Sequence, residues 1–103
     1  MESKEHKELK QLAISILRKQ GYEVETEVPF VVSASIMTKK RTKPKERRFR
    51  IDVVGIKDGK IIAVECGHAN KEKCMLMEYF FDDVYILDWE EKLHMISRNP
   101  ILV

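Results

Sequence analysis

RIDVVGIKDGKIIAVECG, residues 50–67, decides the fold of this 103-residue chain. Two apolar runs flank Asp58-Gly59, a dipeptide typical of two-residue hairpin turns because both positions require a positive φ. The turn sets Lys57 against Lys60, and the same antiparallel register then sets Asp52 against Glu65. The stretch therefore predicts two paired strands, 49–56 and 60–66, with one carboxylate on each.

The predicted register places both carboxylates on one face, with Cβ atoms roughly 5 Å apart. Like charges facing each other in a half-buried sheet oppose folding, so something must offset their repulsion. A raised pKa on one partner would let the two share a proton. A divalent cation held by oxygen ligands would also offset it. In a third alternative, one residue faces solvent or pairs with a lysine. We expect the cation.

The rest of the sequence predicts an α/β domain in the order α-β-β-β-α-β. Ser3 is a candidate N-cap and Gly21 the end of a first helix, whose apolar stripe is Leu9, Leu12, Ala13, Ile16 and Leu17. Alternation over residues 22–28 predicts a strand with one buried and one charged face. Residues 70–81 predict a second helix and 84–87 a strand buried on both faces, followed by a tail with a short helix or an edge strand. We expect a single domain over residues 1–103, with a mixed central sheet flanked by helices.

Charge is distributed unevenly along the chain. Residues 39–50, here called the basic block, hold eight basic residues against one acid, Glu46, a net +7; the chain total of +2 leaves −5 elsewhere. Such a block, with Pro44 inside it, predicts a loop or a frayed hairpin tip that either binds a polyanion or is merely solvated. We expect it to bind DNA phosphates through Lys39, Lys40, Arg41, Lys43, Lys45, Arg47, Arg48 and Arg50.

Composition limits the other partners and the compartment. Apolar residues make up 44% of the chain, enough for one core, but no run approaches the roughly 18 residues of a membrane span. Two cysteines, Cys66 and Cys74, do not form a disulfide framework, which predicts a reducing, cytoplasmic location. The second helix is too apolar for one exposed face, so we expect its excess apolar surface to form a homodimer.

These features resemble the PD-(D/E)xK nuclease superfamily, which includes restriction endonucleases and archaeal Holliday-junction resolvases. The resemblance spans about residues 8–88 and is carried by the element order, by RIDVVG (50–55) and by IAVECG (62–67). It implies magnesium or manganese bound by Asp52, Glu65 and the backbone carbonyl of Cys66. It also implies a glutamate on the first helix, for which Glu8 fits best and Glu5 is the alternative.

One departure from the superfamily falls within the motif. Its members place a lysine two residues after the glutamate, where this chain has Gly67. Lys73 on the second helix is our preferred replacement and Lys71 the neighbouring choice. Arg50 faces Gly67 in the predicted register and could stabilise phosphate charge.

The resemblance implies a divalent-metal-dependent DNA endonuclease that hydrolyses phosphodiester bonds, with Asp52, Glu65, Lys73 and Glu8 as catalytic residues. The vacant lysine position leaves an alternative. In that case the chain is a catalytically impaired, nuclease-fold DNA-binding module or partner subunit.

Overall fold

The computed structural model describes residues 2–37 and 42–96, apart from the side chains of residues 33–37 and 42–45. Two helices and five strands follow one another within these ranges: α1 Lys4–Lys19, β1 Glu23–Met37, β2 Thr42–Lys57, β3 Lys60–Cys66, α2 Lys71–Phe80, β4 Asp83–Leu87 and β5 Leu93–Met95. The predicted α/β class and element order are confirmed, and β5 adds a short strand in the tail. No helix in this described part of the chain is long and apolar enough to cross a membrane.

The five strands form one mixed sheet in the order β1-β2-β3-β4-β5. Only β3 and β4 run parallel, and α2 connects them; the other neighbouring pairs are antiparallel. Helix α1 covers one face, where its Leu9, Ala13 and Leu17 are buried with Val53 and Val64 of the sheet. This is the amphipathic stripe expected from the sequence.

The opposite face of the sheet carries α2. Met77 of this helix is fully buried against Ile51, Val54, Ala63 and Val84. The two helices therefore flank the sheet, and the central strands β2 and β3 are buried from both sides. Burial on two faces explains why these strands contain nearly continuous apolar runs.

The β2–β3 hairpin has the predicted register. Pairing runs from Lys57 opposite Lys60 to Val53 opposite Val64. Asp58 and Gly59 occupy the turn with φ values of 48° and 81°, the conformation for which Asp-Gly was the signal. The turn thus determines which residues reach the far end of the hairpin together.

The prediction of a loop or frayed tip for the basic block was wrong for residues 42–50, which belong to β2 and pair with β1. Pairing with β1 continues past Pro29 and Pro44. Pro29 is tolerated because β1 is an edge strand. Pro44 is tolerated because β3 pairs only with residues 53–57, so this part of β2 has β1 alone as its neighbour.

Candidate active site

The strands β2 and β3 separate where the two carboxylates lie. Beyond Val53 and Val64, the ladder gives way to bonds between backbone and side chain. The backbone N–H of Asp52 donates to Glu65 Oε2 at 3.1 Å, and the backbone N–H of Cys66 donates to Asp52 Oδ2 at 2.9 Å. Each carboxylate is therefore held by a main-chain donor of the opposite strand, which partly offsets the repulsion between them.

The edge strand is distorted beside this opening. Glu27, between two β1 residues that pair with β2, has a φ of 51°. Thr26 pairs with Val53 and Val28 with Ile51, so the register is unchanged across the distortion. Such a backbone conformation costs on the order of 1–3 kcal/mol for a residue with a side chain. The prediction of one buried face over residues 22–28 was wrong, because β1 changes faces at this distortion.

Residues 22–28 do form strand, apart from Tyr22, but they do not share one buried face. Val24 packs against the α1 side of the sheet and Val28 against the α2 side. The same switch occurs in β2, where Val53 faces α1 and Ile51 faces α2. Asp52 lies at the switch, because both strands change faces between these residues.

Lys73 is brought to the carboxylate pair by α2. Asn70 caps this helix, accepting from the backbone N–H of Lys73 at 3.0 Å. The ammonium group lies 2.5 Å from Glu65 Oε1 and also donates to the backbone carbonyl of Arg50. Its neighbour Lys71 is exposed and lines a separate groove. Of the two candidate lysines, the structure places Lys73 at the pair.

The carboxylate pair is set in an unfavourable environment for negative charge. The Glu65 side chain is only 5% exposed, and its burial raises its pKa. The neighbouring charge of Asp52 raises that pKa further, while the hydrogen bond from Lys73 opposes the shift. The contacts that described residues make with the Asp52 carboxylate are both to Oδ2, and the side chain is 15% exposed. An oxygen of Asp52 is therefore available to a ligand.

Helix α1 contacts the pair through His6. Its Nε2 lies 3.4 Å from Asp52 Oδ2, and its Nδ1 lies 2.7 Å from Glu2 Oε2. Lys10 extends the chain of contacts, lying 2.8 Å from both Glu2 and Glu27. We did not predict His6 from the sequence. The available signal was the i, i+4 spacing of His6 and Lys10, which places both on one face of α1, with Glu2 just before the helix.

The structure places Glu8, the predicted helix carboxylate, in a different position. It is exposed, as is its alternative Glu5, and both line a surface groove with Leu9, Trp89 and Glu91. His6, not Glu8, is thus the helix residue that reaches Asp52.

Gly67 does not make room for Arg50. Its φ is +83°, and a Cβ built there would lie 2.4 Å from Cζ2 of Trp89. The indole therefore occupies the space beside Gly67, while the exposed Arg50 side chain lines a groove with Pro29 and Arg48. The predicted arrangement of Arg50 opposite Gly67 was wrong, because pairing of β2 with β3 ends at Val53.

The described part of the basic block is exposed on β2. Arg47 pairs with Glu72 of α2 at 3.2 Å, and Arg48 pairs with Glu46 at 2.9 Å. Arg48 and Arg50 line one face of the strand that leads to Asp52. The predicted DNA contacts Lys39, Lys40 and Arg41, and the side chains of Lys43 and Lys45, lie outside the described residues.

Cys66 is suited to a ligand role only through its backbone. Its thiol is buried in the α1-side core, and burial, with the nearby Asp52 and Glu65, raises its pKa to about 12. The thiol therefore remains protonated at neutral pH and is a poor metal ligand. Cys74 is also free and buried.

The carboxylate pair would give a cation only an incomplete protein shell. Within residues 2–37 and 42–96, no group of three or more His, Cys, Asp or Glu side chains could hold a metal ion. The carboxylates of Asp52 and Glu65 would remain, both oxygen donors. Magnesium commonly binds through one or two carboxylates and keeps several waters, so this set matches its chemistry.

Helix α2 leaves large apolar side chains in solvent, namely Met75 (61% exposed), Tyr79 (69%) and Phe80 (58%). Phe80 also contacts Phe30 of β1, with ring centroids 5.6 Å apart. The predicted homodimer and cytoplasmic location stay predictions.

Comparison with known proteins identifies no relative of known function. No family model and no curated protein matches the chain. A solved structure, that of a protein of unknown function, AF1548, aligns with 80% of this chain and 45% of its own at 18% identity, with a TM-score of 0.40. The chain therefore spans less than half the length of that protein.

Proposed function

We propose that this chain is a divalent-metal-dependent DNA endonuclease that hydrolyses phosphodiester bonds at Asp52 and Glu65. The observation that carries the proposal is the carboxylate pair itself. Two acidic side chains lie where two strands separate, and the Lys73 ammonium contacts one of them. An exposed ion pair could arise anywhere on a surface, whereas this trio is largely buried, with 5–15% of each side chain exposed.

Asp52, Glu65 and the carbonyl of Cys66 would hold Mg²⁺ or Mn²⁺. The ion would activate a water and offset charge on the phosphate. Lys73 supplies a second positive charge from α2 and is anchored on the carbonyl of Arg50. Its positive charge beside the carboxylate pair would favour the negative charge that develops on the phosphate during cleavage.

Arg48 and Arg50 would guide the DNA backbone to this centre. They lie two residues apart on the strand that continues into Asp52, so their positions are separated by about 7 Å along β2. Their guanidinium groups can bind phosphates in bidentate geometry. Binding should therefore weaken steeply with salt, as phosphate contacts release counterions.

A specific observation favours the alternative of a DNA-binding module without cleavage. Both oxygens of Glu65 already accept hydrogen bonds, Oε1 from Lys73 and Oε2 from the backbone N–H of Asp52. A buried ion pair can substitute for a metal in offsetting the charge of Glu65. In this alternative, the Lys73 ammonium offsets the charge of Glu65 in all states of the protein, and no metal binds there.

The two proposals are separated by a cleavage assay on plasmid and branched DNA with Mg²⁺, Mn²⁺ or EDTA. The endonuclease proposal predicts metal-dependent nicking that Asp52→Asn lowers at least about 100-fold. Asp58→Asn is the matched control, because it removes a carboxylate from the same hairpin and leaves Asn-Gly, an equally suitable turn. We expect the control to cut like the wild type.

Lys73→Met tests the lysine separately. We expect it to lower cleavage while retaining Mn²⁺ binding, because it removes a charge that assists and leaves both carboxylates. Salt-sensitive DNA binding with no cleavage in either metal would reject the endonuclease and support the binding module. The absence of both binding and cleavage at low salt would reject both proposals.

A further inference from the structure

Trp89 is a large apolar side chain held beside the carboxylate pair. It is the chain's single tryptophan and is 51% exposed. Its indole lies against Gly67, two residues after Glu65, and its ring centroid is 6.3 Å from that of His6. His6 in turn contacts Asp52 at 3.4 Å. The exposed indole thus lies near the candidate centre through two contacts, one with Gly67 and one with His6.

The segment that carries Trp89 is fixed by a compact polar turn. The carboxylate of Asp88 accepts from the backbone N–H groups of Glu90 and Lys92 at 2.9 and 3.0 Å, and contacts His94 at 2.7 Å. The backbone of Asp88 also pairs with that of Lys92 at 2.9 Å. The turn positions the indole, and Gly67, which has no Cβ, leaves room for it. Half of the Trp89 side chain nevertheless remains in water. A side chain serving the core alone would be buried further.

The charges around Trp89 restrict what can lie on it. Its groove is lined by Glu5, Glu8, Leu9 and Glu91, whereas Arg48 and Arg50 of β2 line a separate groove. A continuing DNA duplex would bring phosphates against three carboxylates, which repel them. A neutral nucleobase meets no such repulsion, and carboxylates can accept hydrogen bonds from exocyclic amino groups.

We propose that Trp89 is a stacking platform for an unpaired nucleobase next to the phosphate held at Asp52 and Glu65. The preferred substrate is then DNA with a single-stranded end or flap at the cleavage position, bound as duplex along the arginine side. This inference rests on the proposed nucleic-acid site and specifies its substrate class. Trp89 acts on specificity, through a base–aromatic contact that every base can make.

The experiment measures Trp89 emission while DNA is added with Ca²⁺, which takes the same kind of oxygen ligands, and again in EDTA. The probes are a blunt duplex, the same duplex with a 5′ or 3′ single-stranded overhang, and that overhang with abasic sites. We expect one overhang polarity to quench the emission and the blunt duplex to leave it nearly unchanged. Abasic sites should weaken binding of the overhang roughly 5- to 150-fold, the usual range for loss of one stacked base.

Variants test the same contact by anisotropy of labelled DNA. Trp89→Leu should reduce overhang affinity to the abasic level without changing blunt-duplex affinity, and Trp89→Phe should retain much of the preference. Tyr79→Leu, which removes an exposed aromatic ring from α2, is the matched control and should change neither affinity. If Trp89→Leu does not fold, the affinities of the wild type for normal and abasic overhangs still test whether Trp89 stacks on a base.

The outcomes distinguish this inference from the proposed cleavage. Equal quenching by blunt and overhanging DNA, or equal affinity for normal and abasic overhangs, overturns the stacking platform even if the protein cuts DNA. Base-dependent quenching without cleavage in any metal supports the platform and rejects the endonuclease. The absence of DNA binding at low salt overturns both.

Discussion

The two halves of the β2–β3 hairpin differ in what holds them together. In the laddered half, residues 53–57 and 60–64 pair backbone to backbone, and Val53, Ile62 and Val64 are at most 2% exposed. In the open half, Asp52 and Glu65 replace ladder bonds with bonds from backbone N–H groups to carboxylates. The first arrangement contributes stability through apolar burial, whereas the second places two carboxylates together at the end of the pairing. One hairpin thus combines a buried backbone ladder with a carboxylate pair, because its strands separate at one end.

The largest expected effect lies in the laddered half. Ile62→Ala removes a buried side chain from the α1-side core and should lower the free energy of unfolding by about 2–5 kcal/mol, measured by urea denaturation. Metal-dependent cleavage per folded molecule should be unchanged, because the substitution leaves the open half intact. A loss of cleavage in fully folded protein would show that the two halves are not separable.

A smaller effect is expected where the superfamily motif would have its lysine. Gly67→Lys should destabilise the fold by about 1–3 kcal/mol, because it forces a side chain into a positive φ and against the Trp89 indole. It should not raise cleavage, although the resemblance alone would suggest that it restores the motif. Higher activity with unchanged urea stability would contradict the arrangement of Gly67 and Trp89.

A still smaller effect concerns charge in the open half. Burial raises the pKa of Glu65, so the folded state favours its neutral form. The stabilisation of the folded state by neutral Glu65 is fully present below the pKa of a glutamate in the unfolded chain, about 4.3. It is lost as pH rises through the raised pKa of Glu65 in the folded protein. In EDTA, Glu65→Gln should therefore gain stability relative to the wild type as pH rises through this window.

Melting temperatures of both proteins from pH 4 to 8 measure this difference. If instead the melting temperature of the wild type rises relative to that of Glu65→Gln as pH increases, the Lys73 ion pair outweighs the desolvation of Glu65. The test thus determines which of two opposing interactions dominates at this carboxylate.

Much of the laddered half could be predicted because its signals are local. Asp58-Gly59 fixes the turn, the turn fixes the register, and the register identifies Asp52 and Glu65 as the residues at the far end. Ser3 was correctly expected as the N-cap of α1, where it accepts from the backbone N–H of His6 at 3.1 Å. Such features depend on residues a few positions apart.

The surroundings of the carboxylate pair could not be predicted in the same way. Which face of α1 meets the sheet depends on packing over its whole length, so the sequence did not favour His6 over Glu8. The position of Trp89 against Gly67 depends on how the turn between β4 and β5 packs beside the residue that follows β3. The extension of β2 through Pro44 depends on where β3 stops. These features are tertiary and lack a local sequence signal.

The most direct test of the carboxylate pair is the change in melting temperature on adding Mn²⁺ to the wild type, Asp52→Asn and Asp58→Asn. A ligand at 100 times its dissociation constant stabilises the folded state by about 2.7 kcal/mol, a shift on the order of 10 °C for a domain of this size. We predict that the wild type and Asp58→Asn rise together while Asp52→Asn does not. Equal shifts in all three proteins, or none in the wild type, would contradict a metal site at Asp52 and Glu65.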